Sequence, residues 1–177
     1  PNEMPRVVSV GRLDLDSEGL ILLTNNGELA HLLEAPSNNW VRQYKVRVYG
    51  RPQIGDFNKL RLGVTLEGVK YKPMQIDLER QTGSNAWLNI ALREGKNREI
   101  RKLMDSIDLK VNRLIRVAFG PFQLGNLSAG VVEEVRENKL KEQLSIFKGS
   151  QNKNVKVMRG KNAHHIRRKT RSKAFNT

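Results

Sequence analysis

Alternating apolar and polar residues predict several β-strands along the chain. Residues 41–49 alternate, with Gln43, Lys45 and Arg47 on one face of the strand and apolar or aromatic residues on the other. Residues 87–93 alternate in the same way, and the apolar run 19–24 has strand length and ends in a turn signal at residues 25–27. Further strands are predicted near residue 10, at 64–66, at 71–78, where Pro73 favours a sheet edge, and at 111–119.

Helical spacing of apolar residues predicts helices between these strands. Leucines at 29, 32 and 33 indicate a short helix that stops before Pro36, and residues 55–62 suggest another. Apolar residues at 100, 103, 104 and 107 predict an amphipathic helix, and residues 133–147 predict a C-terminal one. Because strands and helices do not alternate regularly, we expect an α+β fold on a mostly antiparallel or mixed β-sheet with flanking helices.

Composition narrows the class of protein. A chain of 177 residues suits one domain with an appendage, and its lack of cysteine excludes disulfides and thiolate chemistry. No apolar run approaches the roughly 20 residues that cross a bilayer, and no signal-peptide pattern begins at Pro1. We therefore expect a cytoplasmic protein with no membrane partner.

The charge is strongly positive and unevenly distributed. The chain has 32 Lys and Arg against 18 Asp and Glu, a net charge of +14. Residues 151–177 hold nine of the basic residues and no acidic one, so removing them leaves +5. Such an excess of positive charge predicts a polyanionic partner, and nucleic acid is the first candidate. We expect residues 1–148 to form the folded domain and 149–177 a basic, disordered tail.

Two polar segments are candidate sites. Residues 12–18 hold Arg12 and three acids, Asp14, Asp16 and Glu18, between two predicted strands; residue type alone allows a turn, a helix cap or a site. A metal loop is disfavoured, because the glycine and the later glutamate of a calcium loop are missing. Residues 93–102 place Lys96, Asn97 and Arg98 at a helix start, which suits phosphate or a solvated surface.

Three motifs follow one another along the chain. Residues 11–20 read Gly-Arg-Leu-Asp-x-Asp-Ser-x-Gly-Leu, residues 42–46 read Arg-x-Tyr-x-Val, and residues 94–102 read Glu-Gly-x-x-x-x-Ile-Arg-Lys. These motifs resemble those of the RNA pseudouridine synthases, specifically the RsuA/RluB branch that modifies ribosomal RNA, with Arg42 where the branch has Lys. Residues 111–121 resemble a later segment of the same branch. The resemblance covers roughly residues 6–136 and implies the pseudouridine-synthase catalytic domain.

The resemblance implies a role for each matching residue. Asp14 would be the catalytic carboxylate, and Arg101 would pair with it within roughly 6 Å. Tyr44, which residue type alone leaves as either a core tyrosine or a stacking platform, would stack on the flipped uracil. Arg12 would assist extrusion of the nucleotide and Ile100 would pack beside the tyrosine. RNA contacts are expected at Lys96, Asn97 and Arg98.

The resemblance implies isomerisation of a specific uridine in ribosomal RNA, with the large subunit as the expected target and the small subunit as the alternative. It involves no redox change, so we expect no metal and no small-molecule cofactor, and a monomer. Family members usually carry an RNA-binding domain and a Lys-Pro-x-Gly segment upstream, so from the resemblance we expect a catalytic domain that is incomplete at its N-terminus. The alternatives are a non-catalytic ribosome-associated RNA-binding module and a metal-dependent nuclease using the three acids of residues 14–18.

Overall fold

A computed structural model of the protein describes residues 4–151. They belong to two compact units, and the boundary along the chain lies between Val135 and Arg136. The predicted tail lies outside the described residues from position 152 onward, and the domain boundary expected at residue 148 stays a prediction. No described helix is long and apolar enough to cross a membrane.

The first unit contains ten strands and three α-helices. The helices are α1 (Gly27–Glu34), α2 (Ile54–Leu62) and α3 (Glu99–Asp105), with a 3-10 turn at Pro36–Asn38. The strands are β1 (Val8–Val10), β2 (Glu18–Gly19), β3 (Leu22–Thr24), β4 (Arg42–Tyr49), β5 (Val64–Leu66), β6 (Val69–Tyr71), β7 (Gln75–Thr82), β8 (Asn85–Leu92), β9 (Lys110–Phe119) and β10 (Phe122–Gln123). The second unit contains α4 (Glu137–Gln151).

A six-stranded sheet organises the first unit. Its main path runs β10-β9-β4-β8-β7 with every pair antiparallel, and β2 joins β9 in parallel. Two small antiparallel pairs, β1-β3 and β5-β6, lie outside it. The sheet confirms the predicted α+β class.

The hydrophobic core is built from the inward positions of the sheet and from α2 and α3. The alternation along β4 and β8 places every second side chain on this face, where burial of apolar surface stabilises the fold. The core includes Val46, Val48, Phe57, Leu60, Ile76, Leu88, Ile90, Leu103 and Met104. This packing fixes β4, β9 and α3, the three elements that border the candidate site.

Three predicted elements differ from the structure at their ends or are divided. The run 19–24 divides because Gly19 pairs with β9 whereas Leu22–Thr24 pairs with β1. The run 71–78 is interrupted around Pro73, since proline cannot donate to a ladder. The expected C-terminal helix, 133–147, is shifted to Glu137–Gln151.

Candidate active site

The acidic loop between β1 and β3 is held at both of its ends. At its start, the Gly11 amide donates to Oε1 of Glu34 at 2.7 Å. Within it, the Ser17 amide donates to the Asp14 carbonyl at 2.9 Å, which closes a turn. At its end, Gly19 pairs in parallel with Arg116 on β9. The loop that carries Asp14 is therefore tied to the central sheet.

Arginines of α3, its N-cap and β9 neutralise two of the loop's acids. Arg98 donates to both carboxylate oxygens of Asp16, at 3.2 and 3.1 Å, and holds the pKa of Asp16 below its usual value. Arg101 donates to the Asp16 carbonyl at 2.6 Å, and its Nε lies 3.3 Å from Asp16 Oδ2. Arg113 donates a hydrogen bond to each carboxylate oxygen of Glu18, at 2.8 and 2.7 Å. These contacts relieve the repulsion between the three acids of the loop.

Within 4.0 Å, the basic partner of Asp14 among the described residues is Arg98. Oδ2 of Asp14 lies 3.9 Å from Nη1 of Arg98, and the Asp14 side chain is 31% exposed. Among the described residues, Arg101 forms no ion pair within 4.0 Å with Asp14, because its guanidinium is held between Asp16 and the Val111 carbonyl. The basic charge within 4.0 Å of Asp14 thus comes from Arg98 at the N-cap of α3 rather than from Arg101 in the first turn of the helix.

A cavity of about 350 Å³ opens beside Asp14. Its walls come from the acidic loop, the end of α1, β4, the end of β8, residues 95–100 around the start of α3, and β9, so parts of the chain far apart in sequence meet there. Of the expected site residues, all line it except Arg101, whose guanidinium contacts Asp16 and the Val111 carbonyl. The expected residues on its wall are Arg12, Asp14, Tyr44, Lys96, Asn97, Arg98 and Ile100.

Tyr44 occupies the floor of this cavity on β4. It is half-buried, and Arg116 is its cross-strand neighbour on β9. Burial raises the pKa of the Tyr44 hydroxyl above its ordinary value, while the Arg116 guanidinium acts in the opposite direction. Ile100, buried at the start of α3, lines the same space and belongs to the core. The arrangement leaves an aromatic ring beside Asp14 in a partly apolar space.

The segment before α3 places polar groups at the cavity wall. Lys96 pairs with Glu94 and lies 5.5 Å from the centre of the Tyr71 ring. The Lys96 amide donates to Oε2 of Glu99 at 3.0 Å. Arg98 adopts a left-handed conformation, φ 50°, which turns the chain into α3 and lets its side chain reach the acidic loop.

The sequence analysis did not identify three residues of the site. Partly buried Arg42 and the buried residues Glu99 and Arg116 line the cavity but were not predicted as site residues. A signal existed for two of them: Arg116 has the same strand parity as buried Leu114 and Ala118. Glu99 precedes buried Leu103 by four residues, one helical turn. The third, Arg42, packs its guanidinium 4.8 Å from the centre of the Phe119 ring.

The acids of the loop are engaged with arginines rather than with each other. Over residues 4–151, no three histidine or acidic side chains come together as a metal site would require. Asp16 and Glu18, two of the three acids a nuclease would need, are bound by Arg98 and Arg113. These two pairings do not favour metal ligation by the loop.

Comparison with known proteins identifies the family. The model of the RNA pseudouridylate synthase family matches residues 1–106. An uncharacterised RNA pseudouridine synthase of Rickettsia prowazekii is 47% identical over 141 residues, which cover 80% of this chain and 60% of that protein. Ribosomal large subunit pseudouridine synthase B of Yersinia pestis is 42% identical over 119 residues, 67% of this chain and 37% of that one.

A solved structure agrees with this. A protein described as pseudouridylate synthase matches with a TM-score of 0.68 and 25% identity, over 77% of this chain and 59% of that one. The chain spans about 60% of the length of the first curated relatives it matches. Three lines of comparison and the motif around Asp14 agree: this chain belongs to the RNA pseudouridylate synthase family.

Proposed function

We propose that this chain converts uridine to pseudouridine in ribosomal RNA, with Asp14 as the catalytic carboxylate. The observation that carries the proposal is the shared cavity, in which Asp14 of the acidic loop, Tyr44 of β4 and Ile100 of α3 line one space. Residues 30 to 86 positions apart would not meet by chance in the arrangement that this chemistry needs.

The reaction needs few groups. The bond between uracil N1 and the ribose anomeric carbon breaks, the base rotates, and the carbon bonds to C5 instead; C5 then loses its proton and N1 gains one. An ionised carboxylate serves this sequence either as a nucleophile or as a base. Asp14 is suited to both, since it is partly exposed to the cavity and has the Arg98 guanidinium 3.9 Å away. Neither route requires a metal or a redox cofactor.

The cavity must receive a nucleotide that has left its stack. Unstacking costs on the order of a few kcal/mol, and stacking on an aromatic ring returns about 1–3 kcal/mol. Tyr44 supplies that ring, and the aliphatic Ile100 packs at the same wall. Arg12 lies on the loop two residues before Asp14, where its side chain would occupy the space that the flipped nucleotide leaves in the RNA. Lys96, Asn97 and Arg98 would contact the backbone of the RNA at the other wall.

The proposed substrate is large-subunit ribosomal RNA. The support is the similarity to ribosomal large subunit pseudouridine synthase B of Yersinia pestis and of Haemophilus influenzae, at 42% and 41% identity. The motif wording of residues 94–102 points the same way. We propose further that the protein acts as a cytoplasmic monomer; the basic surplus of the chain suits a polyanionic partner.

Separate incubation with large-subunit and small-subunit ribosomal RNA, followed by mapping of pseudouridine, tests this. We expect a modified uridine in the large-subunit RNA, lost in Asp14→Asn. The control is Asp77→Asn, which removes an exposed carboxylate of β7 that pairs with Arg61. Modification of the small-subunit RNA alone would show that the substrate is small-subunit rather than large-subunit ribosomal RNA. RNA binding with no Asp14-dependent product in either RNA would reject the enzyme in favour of a binding module.

A further inference from the structure

Arg116 is a buried cation at the cavity wall. It is 3% exposed, and within residues 4–151 the only other fully buried charged side chain is Glu99. Arg116 forms no ion pair with a described carboxylate, since none of the pairs within 4.0 Å includes it. A buried charge without a countercharge is costly unless hydrogen bonds compensate for lost water. Its bonds therefore indicate why the arginine is there.

Those bonds go to both sides of Asp14. Nε donates to the Leu20 carbonyl at 2.8 Å, and Nη1 donates to the Arg12 carbonyl at 3.4 Å. The Leu20 amide returns a bond of 2.8 Å to the Arg116 carbonyl. One guanidinium thus joins the residue two positions before Asp14 to the residue six positions after it. The fork geometry of arginine makes this possible, whereas a lysine offers a single point of contact.

The same guanidinium reaches the aromatic side of the cavity. Its carbon lies 5.4 Å from the centre of the Phe119 ring. It interacts with the Tyr44 hydroxyl, whose pKa it lowers against the effect of burial. Nη2 forms no regular hydrogen bond to any described residue although it is shielded from solvent. Arg116 is therefore in contact with the loop of Asp14 and with Tyr44 at once.

We propose that Arg116 is a positioning residue that fixes the Asp14 loop relative to Tyr44. The inference rests on the proposed function, in which both residues act on one flipped nucleotide. Asp14 and Tyr44 sit on different elements, and the Arg116 side chain bonds the backbone on either side of Asp14 and also interacts with Tyr44. Misplacement of reacting groups by about 1 Å lowers rates by roughly 100-fold. Loss of Arg116 should consequently reduce the chemical step more than the binding of RNA.

Arg116→Met and Arg116→Lys test this in single-turnover and binding assays on ribosomal RNA. We expect the methionine variant to lose roughly 100-fold in rate while its Kd for RNA changes by less than about threefold, and lysine to restore part of the rate. Arg80→Met is the matched control, because Arg80 is exposed on β7, three strands away from β9, and should keep the wild-type rate.

A second measurement needs no catalysis. Ultraviolet titration, with the signal of Tyr44→Phe subtracted, reports the pKa of Tyr44. Removing this cation takes away the main effect that opposes burial and leaves only the weaker influence of Arg42, so Arg116→Met should raise the pKa of Tyr44 and Arg116→Lys should raise it less. If the wild type makes no pseudouridine, the proposed function is wrong, but the titration still measures the interaction between Arg116 and Tyr44. If Asp14→Asn abolishes activity and Arg116→Met keeps the wild-type rate, the proposed function stands and the positioning role is rejected.

Three outcomes would overturn the proposal. The first is a wild-type rate in Arg116→Met. The second is a loss confined to RNA affinity, which would make Arg116 a binding residue. The third is failure of both variants to fold, seen as loss of the cooperative thermal transition, which would make the arginine a requirement of the fold alone.

Discussion

At the scale of single residues, Glu99 is the most perturbed acid of the site. It is 4% exposed at the first position of α3; Oε2 accepts the Lys96 amide, and Oε1 has no hydrogen-bond partner among the described residues. Burial raises the pKa of Glu99 from 4.5 to about 7, and the neighbouring carboxylate of Glu94 adds to the rise. The side chain is consequently protonated in the folded protein over a pH range in which the unfolded chain is ionised.

This shift predicts a pH dependence of stability. Below about pH 4.5 Glu99 is protonated in both the folded and the unfolded state, so it adds no pH dependence to the free energy of unfolding. As the pH rises towards 7, only the unfolded state releases the proton, and the free energy of unfolding falls by at most about 3 kcal/mol. Glu99→Gln should remove this fall when urea unfolding is compared at about pH 5 and about pH 8.

Glu133→Gln is the control for that measurement. Glu133 is exposed outside any helix or strand, so its variant should keep the wild-type difference between the two pH values. An identical pH dependence in Glu99→Gln would show that Glu99 is ionised in the folded protein.

Single residues were predictable where strand parity determines their direction. Tyr44 shares the parity of Val46 and Val48, which predicts its inward position correctly. The partner of Arg101 was not predictable in the same way, because the acidic loop has no periodicity that assigns Asp14 or Asp16 to it. The turn between Asp14 and Ser17, and the left-handed Arg98, decide that pairing.

At the scale of elements, the two-residue strand β2 anchors the acidic loop to β9. Gly19 has φ 103°, a conformation open to glycine but strained for other residues. A Cβ at this position would lie 2.3 Å from the carbonyl oxygen of Arg116, which is part of the backbone of a central strand and cannot move aside. The close approach of β2 to β9 therefore requires glycine.

Gly19→Ala should separate β2 from β9. We expect a loss of roughly 1–3 kcal/mol in the free energy of unfolding, and a reduced rate of modification because the Asp14 loop loses its anchor. Thermal unfolding and single-turnover rates measure the two effects. Gly11→Ala is matched to it, with φ 70° and no atom within 4 Å of the added Cβ, and should lose less of both. Equal losses would mean that backbone strain, not the contact with β9, is responsible.

The eight-residue strand β4 was predictable from its pattern, and the two-residue strand β2 was not. β4 was expected at 41–49 and is found at Arg42–Tyr49, since eight alternating residues carry a clear signal. β2 has only two residues and forms because β9 lies beside it. No pattern in the local sequence therefore predicts this strand. α3 ends at Asp105, and Ile107 follows in a turn although its spacing fits the helix.

At the scale of the whole molecule, fold class and charge were both readable from sequence. The mixture of alternating strands and separate helices predicted the α+β sheet. The excess charge predicted a nucleic-acid partner, which agrees with membership of an RNA-modifying family. The arrangement of that charge was less readable, because several arginines near the site are engaged by acids of the loop and leave less free charge for RNA than their number suggests.

The last nine basic residues therefore carry a disproportionate share of the charge available to RNA. Deleting residues 151–177 reduces the net charge from +14 to +5. Each phosphate contact that is lost lowers the slope of log K against log salt by about 0.7 to 0.9, so the slope should become less steep by several units and affinity at low salt should fall. Fluorescence anisotropy with ribosomal RNA over a range of salt concentrations measures both. A variant of full length with those nine Lys and Arg replaced by Gln should behave like the deletion, because charge rather than length is responsible. A salt slope equal to that of the intact chain would place the RNA contacts within the folded unit, and a loss of affinity without a change in slope would assign the tail a non-electrostatic role.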